Sequence, residues 1–330
     1  MKRLTLSVLA PCALLLAASQ PLMAQEKLVK VTAGHLIALD MAPLFVGVES
    51  GCFKQQGLEV DTRFFANPGD NNAALAGGAI DFSTNPFTLP FFAANSGVPI
   101  KVISAAGGWG VMEVIADGDL GLDSMEALAE HVKAGKPKLT AAVLQGDTLE
   151  LILVTQLAKL GLEPDAIEFV YFDDLLAMVE AFRSGNVDIL SHIKPYTSEM
   201  VASRGATVLT NNASTWSTNT PNTVVSVLEK TLTERPEVVE GYLKGLICAA
   251  DIINTDPDQA IELLEQGNYF RVPSDVLKNA FASAPEPISF TPDVAAVQQV
   301  VDDLVEMQYV RPGVSAESIF EIDLIQSLEQ

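Results

Sequence analysis

The 330-residue sequence predicts an α/β protein of two similar lobes, each a parallel-rich sheet flanked by helices, with a cleft between them. Three observations predict it. Residues 74–83 and 181–189 carry one pattern: a helix end, a glycine (Gly78, Gly185), then a β-branched residue, an Asp and an apolar residue that begin a strand. The glycines stand 107 residues apart, an ordinary domain length. Strand-like and helix-like segments alternate through most of the chain, the mark of parallel sheets covered by helices. Finally, a hydrophobic content of 48% at this length is enough for two cores of normal size.

At the N-terminus Lys2 and Arg3 precede an apolar run over residues 4–18, and Ala24 precedes Gln25. This reads as a secretory signal peptide, residues 1–24, and places the mature protein in the periplasm. The run is too short to span a bilayer. Cys12 lies inside it directly after Pro11, a poor context for lipidation. Cys52 and Cys248 remain, and cysteines so far apart read as two unbridged thiols. The net charge is −22, or −24 without Lys2 and Arg3, which excludes nucleic acid and anionic membrane surfaces as partners.

The elements follow in order. A strand over 28–32 leads through a loop at 35–41 into a helix over 42–51, with Pro43 tolerated in its first turn. A strand over 58–65, a turn at 67–70 and a helix to Gly77, started by Gly69 or Asp70, bring the chain to the first repeat. A helix over 87–95 and a strand over 100–104 complete the series. The second series has strands at 111–116, 139–143 and 167–172, helices at 124–134, after 146–148 and at 174–184, and then the second repeat. A helix over 195–202, a strand over 207–210, a polar loop over 211–223 and a strand over 224–228 lead to helices at 235–254, 257–265, 274–282 and 292–307. A helical tail needs a partner for its apolar faces, and the first lobe supplies it. The expected division is residues 25–108 and 213–330 for lobe 1 and residues 109–212 for lobe 2.

Several phrases resemble one family. Residues 49–60 (ESGCFKQQGLEV), 75–82, 97–102, 160–165, 181–189 and 235–239 occur in the order and spacing found in the periplasmic solute-binding proteins of nitrate, sulfonate, taurine and thiamine-precursor ABC importers. The resemblance implies a type II periplasmic binding fold whose lobes close on a small-molecule ligand. It implies a membrane permease and ATPase as partners, a monomer, and no cofactor. The chain contains no Gly-x-x-x-x-Gly-Lys-Ser/Thr loop, so it is not the motor.

Ligands of open α/β sheets collect beyond the carboxyl ends of strands, which selects the candidate residues. From lobe 1 these are His35, Asp40, Asn85, Phe87 and Trp109. From lobe 2 they are Gln145, Gly146, Thr148, Tyr171, Asp173 and His192, with Trp216 on the returning segment. The loop 145–148 precedes a helix, where free N–H groups can hold an anion, although Asp147 or Thr148 can equally cap that helix. Asp40 and Asp174 also have a capping alternative. Acidic and aromatic residues outnumber cations at these loops, which favours a flat or cationic nitrogen-containing ligand over a sulfonate or nitrate. His35 and His192 lack the close spacing of a metal pair. Two other classes compete: a receptor that signals to a membrane kinase, and an enzyme like the fungal thiamine-pyrimidine synthase. The latter carries a cysteine-rich motif that isolated Cys52 and Cys248 do not supply.

Overall fold

A computed structural model describes residues 27–107, 110–217, 220–283 and 288–330, so the expected signal peptide lies outside the described residues. In chain order β1 (Val29–His35) leads to α1 (Ala42–Ser50) and α2 (Cys52–Gln55), and β2 (Leu58–Phe64) to α3 (Pro68–Ala76). Next β3 (Phe82–Pro86) leads to α4 (Leu89–Asn95), and β4 (Ile100–Ala105) passes to β5 (Met112–Ala116). There follow α5 (Met125–Lys133), β6 (Thr140–Leu144), α6 (Thr148–Lys159), β7 (Glu168–Phe172), α7 (Leu175–Arg183) and β8 (Ile189–Ile193). Then come α8 (Tyr196–Arg204), β9 (Thr207–Asn211), α9 (Asn212–Thr215) and β10 (Thr223–Leu228). The tail is α10 (Glu229–Glu234), α11 (Pro236–Thr255), α12 (Pro257–Gln266), α13 (Ser274–Ala282), α14 (Val294–Glu306), α15 (Ala316–Ile319) and α16 (Asp323–Leu328).

Two five-stranded sheets result, ordered β2-β1-β3-β10-β4 and β7-β6-β8-β5-β9. They share one plan, with β1 and β6 as equivalent second strands. The alternation of strands and helices implies parallel-rich sheets, and each sheet is mixed. β10 runs antiparallel to β3 and β4, and β5 antiparallel to β8 and β9. Each reversed strand is the first one formed after the chain passes from the other sheet, so no covering helix turns it round before it pairs.

The repeated sequence has one structural job in both sheets. Gly78 and Gly185 take left-handed backbone (φ +70° and +72°) just past α3 and α7, where a side chain would be strained. Asp81 Oδ2 then accepts the Thr32 N–H of β1 at 2.8 Å, and Asp188 Oδ2 accepts the Thr140 N–H of β6 at 2.8 Å. Each carboxylate ties the entry of one strand to its parallel neighbour. Asp81 also pairs with Arg235 at 2.6 Å, where α11 begins, and Asp188 accepts the Thr140 hydroxyl at 2.9 Å.

The tail returns to the first sheet. Buried Tyr242 of α11 stacks on Phe82 of β3 (centroids 3.8 Å apart) and on Phe53 of α2 (5.1 Å). A Cβ at Gly245 would stand 2.3 Å from the Phe53 ring, so glycine is needed for that approach. Next to this stack Cys52 and Cys248 form a disulfide with 5.8 Å between Cα atoms. This corrects the expectation of two unbridged thiols: the stack brings α2 and α11 together across 196 residues, a juxtaposition that spacing alone does not reveal. The tail also covers the edge of β4, where Ala105 N–H donates to Phe290 O and Glu321 N–H donates to Val102 O, both at 2.8 Å.

Three capping expectations change or hold. The cap of α3 is Asn67, whose Oδ1 accepts the Gly69 and Asp70 N–H groups, so the helix starts before Gly69. Asp40 caps nothing, because it sits inside a 3-10 turn with its carboxylate directed to Asn222 and Thr223. Asp174 does cap α7, through the Ala177 N–H at 3.0 Å.

Candidate functional site

The two sheets face each other across a cleft that is closed here. Asn67 Nδ2 donates to Asp173 O at 3.0 Å, Leu39 N–H to Lys194 O at 2.9 Å, and Leu175 N–H to Ala66 O at 3.4 Å. All three bonds join loops at the carboxyl ends of strands in opposite sheets. Beside them an open-sided chamber of about 280 Å³ lies between Asn67-Pro68-Gly69 and Gln145-Gly146-Asp147, with Leu89, Phe92 and Tyr309 on its walls. A smaller space of about 10 Å³ lies among Leu36, Pro68, Pro86, Asp147, Thr148 and Leu175. A separate cavity of about 420 Å³ opens beside the chain crossings, bounded by Asp40, Gly107, Val111 and helices α12 and α13. Among the described residues lining the two cleft spaces there is no Lys, Arg or His.

The centre of the far wall is the start of α6. Gly146 turns the chain in left-handed backbone (φ +71°), and Asp147 follows as N-cap. Asp147 Oδ1 accepts the Leu149 N–H at 3.0 Å and the Thr148 hydroxyl at 3.1 Å, while Oδ2 is buried without a partner among the described residues. Glu150, also buried, accepts the Gly146 N–H through Oε2 at 2.6 Å and the Tyr171 hydroxyl through Oε1 at 2.9 Å. Burial pushes the Asp147 carboxyl up to about 6, with the Glu150 charge adding to it.

The expected site residues divide by position. Gln145, Gly146 and Thr148 line the cleft. Asn85 is buried beside it, its Nδ2 donating to Pro68 O at 3.0 Å and its Oδ1 unpartnered among the described residues. Phe87 is fully buried and meets half-buried Trp216 edge-on at 5.9 Å; Trp216 Nε1 has no partner among the described residues. Trp109 lies outside the described residues. Asp173 contributes its carbonyl to closure while the residue itself is exposed. Tyr171 is half exposed on an edge strand, and burial together with the Glu150 carboxylate pushes its hydroxyl up to about 12.

The histidines are built into the fold. His35 ends β1, its Nδ1 bonded to Leu36 O at 2.7 Å and its ring edge-on to Phe45 at 4.8 Å. Burial holds it below its ordinary pKa. His192 is completely buried, with Nε2 3.0 Å from Leu175 O, and burial lowers it to about 4. Asp40 accepts Asn222 Nδ2 at 3.2 Å, Thr223 N–H at 3.0 Å and the Thr223 hydroxyl at 2.6 Å, bracing the second crossing. Burial raises it to about 6. Among the described residues no group of three His, Cys, Asp or Glu is placed to hold a metal ion.

Asn67, Pro68 and Tyr309 line the chamber and Glu150 bonds the Gly146 turn, and none of the four was expected there from sequence. The turn 67–70 was visible, and its place opposite 173–174 follows once β2 and β7 are equivalent edge strands. Tyr309 arrives from the tail and left no local signal.

The strained carboxylate has a consequence for stability. Between its ordinary pKa of 3.8 and about 6, the folded chain keeps the Asp147 proton and the unfolded chain does not, so this group's contribution falls as pH rises. Asp147→Asn retains a capping oxygen and removes the charge. It is expected to be more stable than the parent at pH 7 by up to about 3 kcal/mol and little different at pH 4. Urea unfolding at both pH values checks this, and an equal difference at both contradicts it. His192 has the opposite sign: its contribution is complete above pH 6.5 and is lost as pH falls towards about 4.

A sequence profile of the NMT1-like family matches residues 24–265. Among solved structures, the alkanesulfonate-binding protein SsuA from Xanthomonas axonopodis pv. citri, bound to MOPS, has a TM-score of 0.75 at 18% identity, covering 88% of this chain and 97% of that one. The periplasmic nitrate-binding protein NrtA from Synechocystis has a TM-score of 0.77 at 15% identity, covering 91% of this chain and 88% of that one. At such identities the likeness is one of fold, and the chain has the fold of these periplasmic binding proteins. A curated relative, the nitrate import ATP-binding protein NrtC of Synechococcus elongatus, is 26% identical over 262 residues. That match takes in 74% of this chain but 38% of the relative, so the chain spans well under half the relative's length.

Proposed function

The chain belongs to the NMT1-like family, and from that premise we propose that it is the periplasmic substrate-binding component of an ABC importer. It captures a small organic solute by lobe closure and delivers it, as a monomer, to a membrane permease and ATPase. It acts by binding and not by catalysis. The favoured solute is nitrogen-containing and flat or cationic, with a sulfonate or nitrate next. One observation carries this reading: a chamber walled by both lobes that is lined by a carboxylate and, among its described lining residues, by no Lys, Arg or His. Closure is then a population shift, set by the difference between the solute's affinities for closed and open forms.

A thermal-shift screen of the chain against amines, pyrimidines, aromatic acids, sulfonates and nitrate tests the proposal. A ligand at a hundred times its Kd adds about 2.7 kcal/mol to the native state, a rise of roughly 4 °C. No shift with any class contradicts it. The bond that spans the cleft gives a finer check. Asn67→Ser keeps a capping oxygen for α3 but is too short to reach Asp173 O. It is expected to weaken solute affinity by roughly three- to tenfold in isothermal titration. Unchanged affinity shows that this bond does not hold the closed form.

A further inference from the structure

We propose that Asp147 and Glu150 make the cleft selective for a ligand bearing a protonated nitrogen, an ammonium or amidinium group, with Asp147 as its counter-ion, and that together they exclude oxyanions. The proposal rests on reading this cleft as the solute site.

The start of a helix of twelve residues is by default a place for anions, because its first N–H groups are free and its dipole is positive there. Here two of the donors around this turn are already held by the chain's own carboxylates. Asp147 Oδ1 holds the Leu149 N–H, and Glu150 Oε2 holds the Gly146 N–H in the turn before the helix. An incoming nitrate or sulfonate would have to displace the chain's own carboxylates and then lie beside two like charges in the chamber.

The second observation is Asp147 Oδ2. Asp147 is only 5% exposed, it lines both cleft spaces, and this oxygen has no partner among the described residues. A buried carboxylate is unfavourable unless it is paired and hydrogen-bonded. Among the described residues no cation lines the chamber to do this, and the buried Lys194 is engaged with Glu113 and Ser283. A ligand N–H carrying positive charge supplies what is missing, the charge and the donor. Phe92 and Tyr309 on the chamber walls add aromatic rings, and a ring face turned to a cation attracts it. Glu150 is held by Gly146 and Tyr171, so its role is to occupy the turn, while Asp147 is the group with an unused acceptor.

The test is isothermal titration of the whole chain at pH 7.5 with small amines and amidines, each paired with a neutral isostere and a sulfonate, for example benzamidine, benzamide and benzenesulfonate. Asp147→Asn and Glu150→Gln are titrated alongside, and the melting temperature of each unliganded variant is recorded. The expected result is at least tenfold preference for the cation over both partners, lost by thirtyfold or more in Asp147→Asn, whose unliganded form melts at or above the parent temperature. Glu150→Gln is expected to narrow the gap between cation and sulfonate. Tighter binding of a sulfonate or nitrate by the parent overturns the proposal and leaves the solute-binding reading intact. Equal cation affinity in Asp147→Asn, or a lower melting temperature in that variant, shows Asp147 to be a cap alone and also overturns it. Binding of no compound counts against both readings.

Discussion

Breaking the Cys52–Cys248 bridge is expected to lower the stability of the folded chain by several kcal/mol. The crosslink closes 196 residues of chain, and the chain-entropy treatment of such a loop gives about 5 kcal/mol as an upper figure, with 2–4 kcal/mol usual in practice. The position makes a large value reasonable. The bridge clips α11 of the tail to α2 of the first lobe, and those helices meet nowhere near each other in sequence. Without it the unfolded chain regains the whole loop, while the folded chain keeps its stack of Phe53, Tyr242 and Phe82. Urea unfolding with and without reductant, and of Cys248→Ser, reads the loss as a lower midpoint, with a steeper slope because the released unfolded chain exposes more surface. An unchanged midpoint contradicts it.

Tyr242→Ala is expected to cost about 3–5 kcal/mol, the range for removing a buried aromatic ring from a core. Its ring is fully buried and lies nearly parallel to Phe82, at 4° between planes. Gly245, three residues on, admits the Phe53 ring, so α11 itself carries no side chain at that position to move into the hole. Because Tyr242 and the disulfide hold the same two helices, their effects are coupled, and the double variant is expected to differ from the sum of the single ones. A loss below about 1 kcal/mol in the same unfolding experiment shows that the tail is anchored elsewhere.

Both predictions concern the tail, whose four longer helices were legible to within two residues but whose bridge to α2 was not. The strands of both sheets were legible to within a few residues, because buried β-branched runs between glycine turns have few other readings. The repeat around Gly78 and Gly185 was legible for the same reason, and its aspartates make equivalent bonds to Thr32 and Thr140. The reversed strands β5 and β10 were not, because strand direction is set by where the chain re-enters a sheet and not by its local pattern. The one- or two-turn helices α2, α10, α15 and α16 were also missed, being too short to show a period.

The site was legible in part. The turn at 145–148 follows from a strand, a glycine and a capping residue, and it forms one wall of the chamber. The opposite wall at Asn67-Pro68-Gly69 looked only like a turn, since nothing local says that it faces another lobe. Asp40 and His192 looked like cleft groups because polar residues at strand ends usually face solvent. Here Asp40 braces the second crossing, and His192 is bonded to the Leu175 carbonyl inside the lobe.

The most direct test of the central claim, that a solute bearing a protonated nitrogen is held between the lobes against Asp147, is a crystal structure of the chain with the tightest-binding compound of the titration series. The expected result is the ligand in the chamber between Asn67-Pro68-Gly69 and Gln145-Gly146-Asp147, with a ligand nitrogen about 2.7–3.0 Å from Asp147 Oδ2. A ligand in the cavity beside α12 and α13 contradicts the claim, as does an anionic group seated on the Gly146 N–H with Glu150 displaced.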